Sequence, residues 1–259
     1  MAPQSMKAHI AKAADFLAAL DQSGRSTPGA LRLYGIPESA YTGEVEMFAR
    51  MHEMRVRVMT TTAFTDDKVI GATLFEGTMD GEVQAKPAPS YLWEDRECVR
   101  FLKVDKGLKA ESDGVSLMRP IPELDTLLDR AVKLGVFGTK MRSTINLPSK
   151  SSIAAIAKQQ FEISPQIAKH GLVPILEPEV LIKSPGKPNA EALLKDALAR
   201  HLSDTSIYPW KEVVGAAVAH LQAMNAVLRP LLRDRTRAAL GVLLSQLRDG
   251  KTAPIDKKS

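Results

Sequence analysis

The sequence predicts an α/β protein whose parallel strands form a barrel-type sheet that stops short of closure. Three observations lead there. Over residues 1–202, short apolar runs alternate with longer helical patterns, which implies parallel pairing through right-handed crossovers. Several apolar runs also end in charge. Leu20 leads into Asp21, Phe75 into Glu76, and Leu102 into Lys103, Asp105 and Lys106. Phe137 leads on to Lys140 and Arg142, and Leu176 into Glu177 and Glu179. A parallel barrel gathers such C-terminal strand ends on one face, where active sites are built. Thirdly, the texture changes near residue 203. The strand-like runs stop and an Ala-, Leu- and Arg-rich segment follows, with nothing resembling a sixth, seventh or eighth strand.

The predicted strands are Phe16–Leu20, Arg55–Met59, Val69–Phe75, Val99–Val104, Gly135–Lys140 and Leu172–Val180. The predicted helices are Met6–Ala14, Glu44–His52, Leu124–Leu134, Ser152–His170 and Ala190–Leu202. Leu124, Leu127, Leu128, Ala131 and Val132 follow the i, i+3, i+4, i+7, i+8 spacing of a helix with one buried face. Ser151 and Ser152 are placed as caps of the fourth helix. Beyond residue 203, Val213 to Leu228 and Leu231 to Arg248 read as two helical stripes broken by Pro230, with Gly250 as a stop. Residues 1–202 thus form the barrel portion and 203–259 a divergent helical tail.

With 259 residues, 44% hydrophobic and 25% charged, the chain excludes a disordered, fibrous or disulfide-stapled protein. A complete α/β barrel of about 250 residues would just fit. The one cysteine, Cys98, has no intramolecular partner, which fits a reducing compartment. The N-terminal stretch lacks the long apolar core of a signal peptide, and no run reaches the roughly 18 apolar residues of a membrane span. A cytoplasmic protein without a membrane partner is therefore expected. The formal charge of +5 is unevenly placed. Residues 203–259 carry nine Lys/Arg against five acids, a net +4 that leaves +1 for the rest. That balance gives no nucleic-acid footprint, and the stripe Arg229, Arg233, Arg237 reads as a solvated helix face. The five histidines are scattered without metal-ligand spacing and read as surface or helix residues, so no metal and no cofactor are expected.

On the expected barrel top, Lys103, Lys106, Lys140 and Arg142 face Asp21, Glu177 and Glu179. Such cations suit a phosphorylated or carboxylated ligand through charge-assisted hydrogen bonds. Neighbouring carboxylates suit proton transfer, and a lysine among cations can act as a nucleophilic amine toward a carbonyl. Metal-free chemistry on a phosphorylated carbonyl compound follows from this set. Structural ion pairs at strand ends fit the same residues equally well.

Four collinear segments then carry a resemblance. Ala18–Thr27 (AALDQSGRST), Phe101–Leu108 (FLKVDKGL), Gly138–Ser143 (GTKMRS) and Leu172–Val180 (LVPILEPEV) resemble class I fructose-bisphosphate aldolase, in its shorter bacterial form. The likeness covers about residues 10–202. It implies a (β/α)8 TIM barrel and a metal-free lyase acting on a phosphorylated ketose through a protonated Schiff base. The products implied from fructose 1,6-bisphosphate are glycerone phosphate and glyceraldehyde 3-phosphate. By that resemblance Asp21 helps form and cleave the adduct. Lys103 lies beside the imine lysine, and Lys140 with Arg142 supports proton transfer and holds a phosphate. Glu177 acts as acid and base, Glu179 orients the lysines, and Lys106 joins Arg142 in binding phosphate. A homo-oligomer is compatible with the family.

The likeness fails at a telling place. The resemblance puts the imine-forming lysine on an apolar sixth strand resembling VMLKLT, near position 214, where this chain has Val214. A Ser-Gly-Gly phosphate loop and a Ser-Arg motif should follow, and neither does. Lys211 is the one lysine near the expected place, and it opens a helical pattern after Pro209 and Trp210. The change points to a shifted reading frame or a recombined 3′ end, so that strands six to eight are replaced by a helical tail. Two rivals to the lyase follow. One is a catalytically inactive barrel portion serving as an interaction protein. The other is an unrelated metal-free barrel enzyme using Lys103, Lys106 or Lys140 as nucleophile.

Overall fold

The computed structural model describes residues 4–12, 16–65 and 68–203. Helix α1 (Gln4–Lys12) leads into β1 (Phe16–Leu20), then α2 (Thr27–Leu33) and α3 (Gly43–Thr60). Next come β2 (Val69–Leu74), the single turn α4 (Glu76–Met79), and a hairpin of β3 (Glu82–Val83) and β4 (Lys86–Pro87). Helix α5 (Ala88–Glu94), β5 (Val99–Lys103), β6 (Val115–Ser116) and α6 (Leu124–Lys133) follow. The described part ends with β7 (Gly138–Ile145), α7 (Lys150–Lys169), β8 (Val173–Val180) and α8 (Lys187–Ser203). The parallel strands stand in the order β1-β2-β5-β7-β8, and β6 adds antiparallel to the end of β7. Among the described residues β1 and β8 each have one strand neighbour, so the sheet there is a curled portion of a barrel. The expected tail helices at 213–248, with Lys211, lie outside the described residues.

Two faces of the sheet divide the core. Leu20, Ala72, Leu74, Leu102 and Met141 pack outward against Met59, Leu92, Leu127, Leu128 and Ile167 of the helical layer. Val99, Phe101, Phe137 and Ile175 form an inner cluster, to which α1 contributes Met6 and Ile10. Burying one such phenylalanine is worth about 1.5–3 kcal/mol. Phe101 fits because glycine stands beside it on both neighbouring strands. A β-carbon at Gly71 would lie 3.2 Å from the Phe101 ring, and one at Gly138 would lie 3.0 Å from it.

Most of the predicted elements are present, with three corrections. The expected strand Arg55–Met59 is the last part of α3. Its alternation of Arg and Val imitates a strand, but Met47, Met51, Met54, Arg55 and Met59 fall on one buried helical stripe. No Gly or Pro separates residues 44 to 60, so nothing stops the helix early. The expected strand Gly135–Lys140 begins at Gly138 and runs on to Ile145. Gly135, at φ +72°, instead closes α6, with Val136 N–H donating to the Ala131 carbonyl at 2.9 Å. Ser151 and Ser152 lie inside α7, which Ser149 caps from an extended backbone.

Cys98 sits in the outer core with no exposed surface, and burial pushes its thiol up to about 12 against the opposing pull of Arg100. Native protein should therefore consume less than about a tenth of an equivalent of a thiol-disulfide reagent over minutes, rising to a full equivalent in urea. Rapid labelling of the native protein would contradict this packing.

Candidate active site

Strand parity carries charge to one end of the inner face. In β7, Gly138, Lys140, Arg142 and Thr144 alternate with Thr139, Met141, Ser143 and Ile145. The second set faces the helices: Met141 lies in the outer core, and Ser143 accepts a hydrogen bond from Gln160 of α7 at 3.1 Å. Lys140 and Arg142 therefore face inward, Lys140 in register with Lys103 of β5 and Ile175 of β8, and Arg142 with Glu177. Apolar residues fill the lower inner face and ionic ones its C-terminal end, as an interior lining requires when only that end meets solvent.

Asp21, Lys140 and Glu177 converge there. The Lys140 Nζ lies 2.8 Å from Asp21 Oδ2 and 3.1 Å from Glu177 Oε2, and its side chain is 13% exposed. Burial works against the Lys140 charge, but Asp21 and then Glu177 outweigh it and hold the ammonium above the usual lysine range. Glu177 moves upward too, mainly through burial, with Lys140 opposing. A carboxyl shifted in this direction gives up its proton less readily than a solvated one, which suits exchange of a proton with a ligand. One cation between two carboxylates leaves a negative excess, and Arg55 supplies the balance. Arg55 as a whole residue is 1% exposed. It donates to Thr78 Oγ1 at 2.7 Å and to the Gln22 carbonyl at 2.5 Å. Burial lowers Arg55 to about 10 while Asp21 pulls it back up.

The remaining expected site residues separate into other pairs. Lys103 donates to Asp105, through both its carboxylate and, at 3.2 Å, its main-chain carbonyl. Arg142 Nε meets Glu179 Oε2 at 2.5 Å, so Glu179 orients an arginine and not the lysines. Lys106 lies apart, 2.5 Å from Glu76, which also binds Arg130. Those two cations hold the Glu76 carboxyl below its usual value although burial pushes the other way. Sequence reading missed Arg55, hidden by its assignment to a strand, and the part played by Asp105. His170, expected as a surface or helix residue, ends α7, is 18% exposed in its side chain and meets Asp125 and Asp129 at 2.9 Å each.

No family model matches the chain. It is 52% identical over 207 residues to the class 1 fructose-bisphosphate aldolase of Synechocystis sp., covering 80% of this chain and 68% of that one. It is 52% identical over 191 residues to the same-named protein of Porphyromonas gingivalis, 74% of this chain and 65% of that one. With the one from Clostridium acetobutylicum it shares 50% over 195 residues, 75% and 66% respectively. The chain thus spans about two thirds of the length of the curated relatives it matches. Among solved structures, the fructose-bisphosphate aldolase of Plasmodium falciparum, in complex with TRAP and a small-molecule inhibitor, has a TM-score of 0.55 at 16% identity. That match covers 96% of this chain and 94% of the other, and it is a likeness of fold. No helix of the described residues is long and apolar enough to cross a membrane. At half its residues identical over most of its length, the chain belongs to the class I fructose-bisphosphate aldolase family.

Proposed function

We propose that the C-terminal end of the described sheet is a site for a ketose bisphosphate, and that the protein is a metal-free cytoplasmic lyase of glycolysis. It cleaves fructose 1,6-bisphosphate to glycerone phosphate and glyceraldehyde 3-phosphate through a lysine imine. One observation carries this reading: Asp21, which follows β1, meets Lys140 of β7, and Lys140 meets Glu177 of β8, each within hydrogen-bond reach at that end. The family name of the relatives supports it. In this reading Glu177 serves as acid and base. Lys140 fixes the two carboxylates and supplies positive charge where a sugar oxygen becomes anionic. Arg142, more exposed than Lys140, turns from Glu179 to a phosphate. Neither Lys140, clamped by two acids, nor Lys103, bound to Asp105, is a free amine in this arrangement.

A second reading, an inactive barrel portion, is favoured by Val214 standing where the resemblance expects the imine lysine. Incubation with fructose 1,6-bisphosphate and chelator, then borohydride and peptide mapping, decides between them. Cleavage with the ketose fixed on a lysine of the C-terminal segment, Lys211 first, is the expected result. Label on Lys103, Lys106 or Lys140 would instead favour the unrelated barrel enzyme. Folded protein that neither cleaves nor labels would overturn the lyase and leave the inactive reading.

A further inference from the structure

We propose that Asp105 is a positioning residue of this site: it takes the Lys103 ammonium and leaves Lys140 to Asp21 and Glu177. The inference deepens the reading of that cluster as a ketose site and rests on it.

The need for such a residue follows from register. Lys103 of β5 and Lys140 of β7 are direct partners in the parallel pairing, and both face inward. Neighbouring strands lie about 4.8 Å apart, so two ammonium groups stand side by side in a poorly solvated place. Without a carboxylate of its own, Lys103 would compete for Asp21 and Glu177, and the three-residue cluster would have no fixed geometry. Asp105 prevents this from two residues away. Its side chain is 2% exposed. Oδ1 meets Lys103 Nζ and accepts the Gly107 N–H at 3.2 Å. Oδ2 accepts the Arg142 N–H at 3.2 Å, across the sheet on β7. The carboxylate is therefore anchored on both oxygens by backbone donors, and the Lys103 ammonium is tied to an anchored partner. Gly107, at φ +88°, turns its N–H back toward Asp105, a backbone shape that favours glycine. The same anchor fixes Arg142, whose side chain leaves for Glu179. One buried acid thus keeps three cations apart, Lys103 on Asp105, Lys140 between Asp21 and Glu177, and Arg142 on Glu179.

The test is trace acetylation of lysines followed by peptide mass spectrometry, with exposed Lys158 as internal reference. In Asp105→Asn the labelling of Lys103 should rise about tenfold relative to Lys158, the factor expected for losing one charge-assisted hydrogen bond. Asp105→Glu, which keeps the charge, should restore most of the protection. A turn-stabilising role alone would lower the urea midpoint in both variants while leaving Lys103 labelling unchanged, and that result would overturn the proposal. If Asp105→Asn fails to fold, Asp21→Asn carries the test. Label should then rise at Lys140 and stay low at Lys103, whereas an equal rise at Lys103 would show that Asp105 does not hold it separately. No ketose enters this experiment. A chain that proves unable to bind or cleave sugar can still give the expected labelling, and a cleaving chain can still fail it.

Discussion

Replacing Lys140 by methionine is expected to destabilise the protein by about 3–5 kcal/mol at neutral pH, the range for removing one partner of a buried ion pair. Methionine keeps most of the stem's packing, so the loss reports the charge. Asp21 and Glu177, 8% and 30% exposed in their side chains, would face each other without the cation between them. The pH dependence has a definite sign. Lys140 is held above its unfolded value of 10.5, so its contribution is fully present below that pH. It is lost as pH rises through the folded-state value. Glu177 is already raised by burial, and losing Lys140 removes what opposes that rise. In the variant, falling pH therefore protonates the carboxyl and shrinks the penalty. Urea midpoints of parent and variant from pH 4 to 11 measure both effects. A loss below about 1 kcal/mol throughout would mean that the three groups behave as solvent-exposed pairs.

Gly138→Ala should cost about 3 kcal/mol, the upper end of ordinary overpacking. The new β-carbon would overlap the Val173 carbonyl oxygen on β8 and touch the Phe101 ring. The carbonyl is backbone and cannot rotate aside, so β7 and β8 must part at the start of their pairing. Lys140 lies two residues further along β7, and its distance to Glu177 would open with the strands. Gly29→Ala is the control, because a β-carbon there meets nothing within 4 Å and α2 gains a better helix former. It should be neutral or stabilising by up to about 1 kcal/mol. Equal urea midpoints for the two alanine variants would refute the close approach of Phe101 and β8 to Gly138.

Much of this structure was legible in the residues, and the misses have physical causes. Strands Phe16–Leu20 and Val99–Lys103 announce themselves as short apolar runs that end in charge. Helix α6 is legible through its regular stripe of Leu124, Leu127, Leu128 and Ala131. Arg55 was not, because a buried arginine on a methionine-lined helix face looks like a polar position of a strand. Its function depends on Gln22 and Thr78, which are 33 and 23 residues distant and brought near only by the fold. For the site, strand-end charge identifies the participants and not their pairing. Arg142 chooses Glu179, and Lys106 chooses Glu76, because strand parity and the turn into α4 decide who faces whom. The local motif KVDKG places Asp105 next to two lysines without saying which it holds.

Whether Asp21, Lys140 and Glu177 form a ligand site or a fixed knot of ion pairs is decided most directly by titration with fructose 1,6-bisphosphate in chelator, followed by calorimetry and urea unfolding. A ligand site predicts saturable heat and a gain of about 2.7 kcal/mol in stability at a hundredfold excess over the dissociation constant, both lost in Glu177→Gln. Folded parent protein that shows neither heat nor stabilisation at millimolar ketose would contradict it.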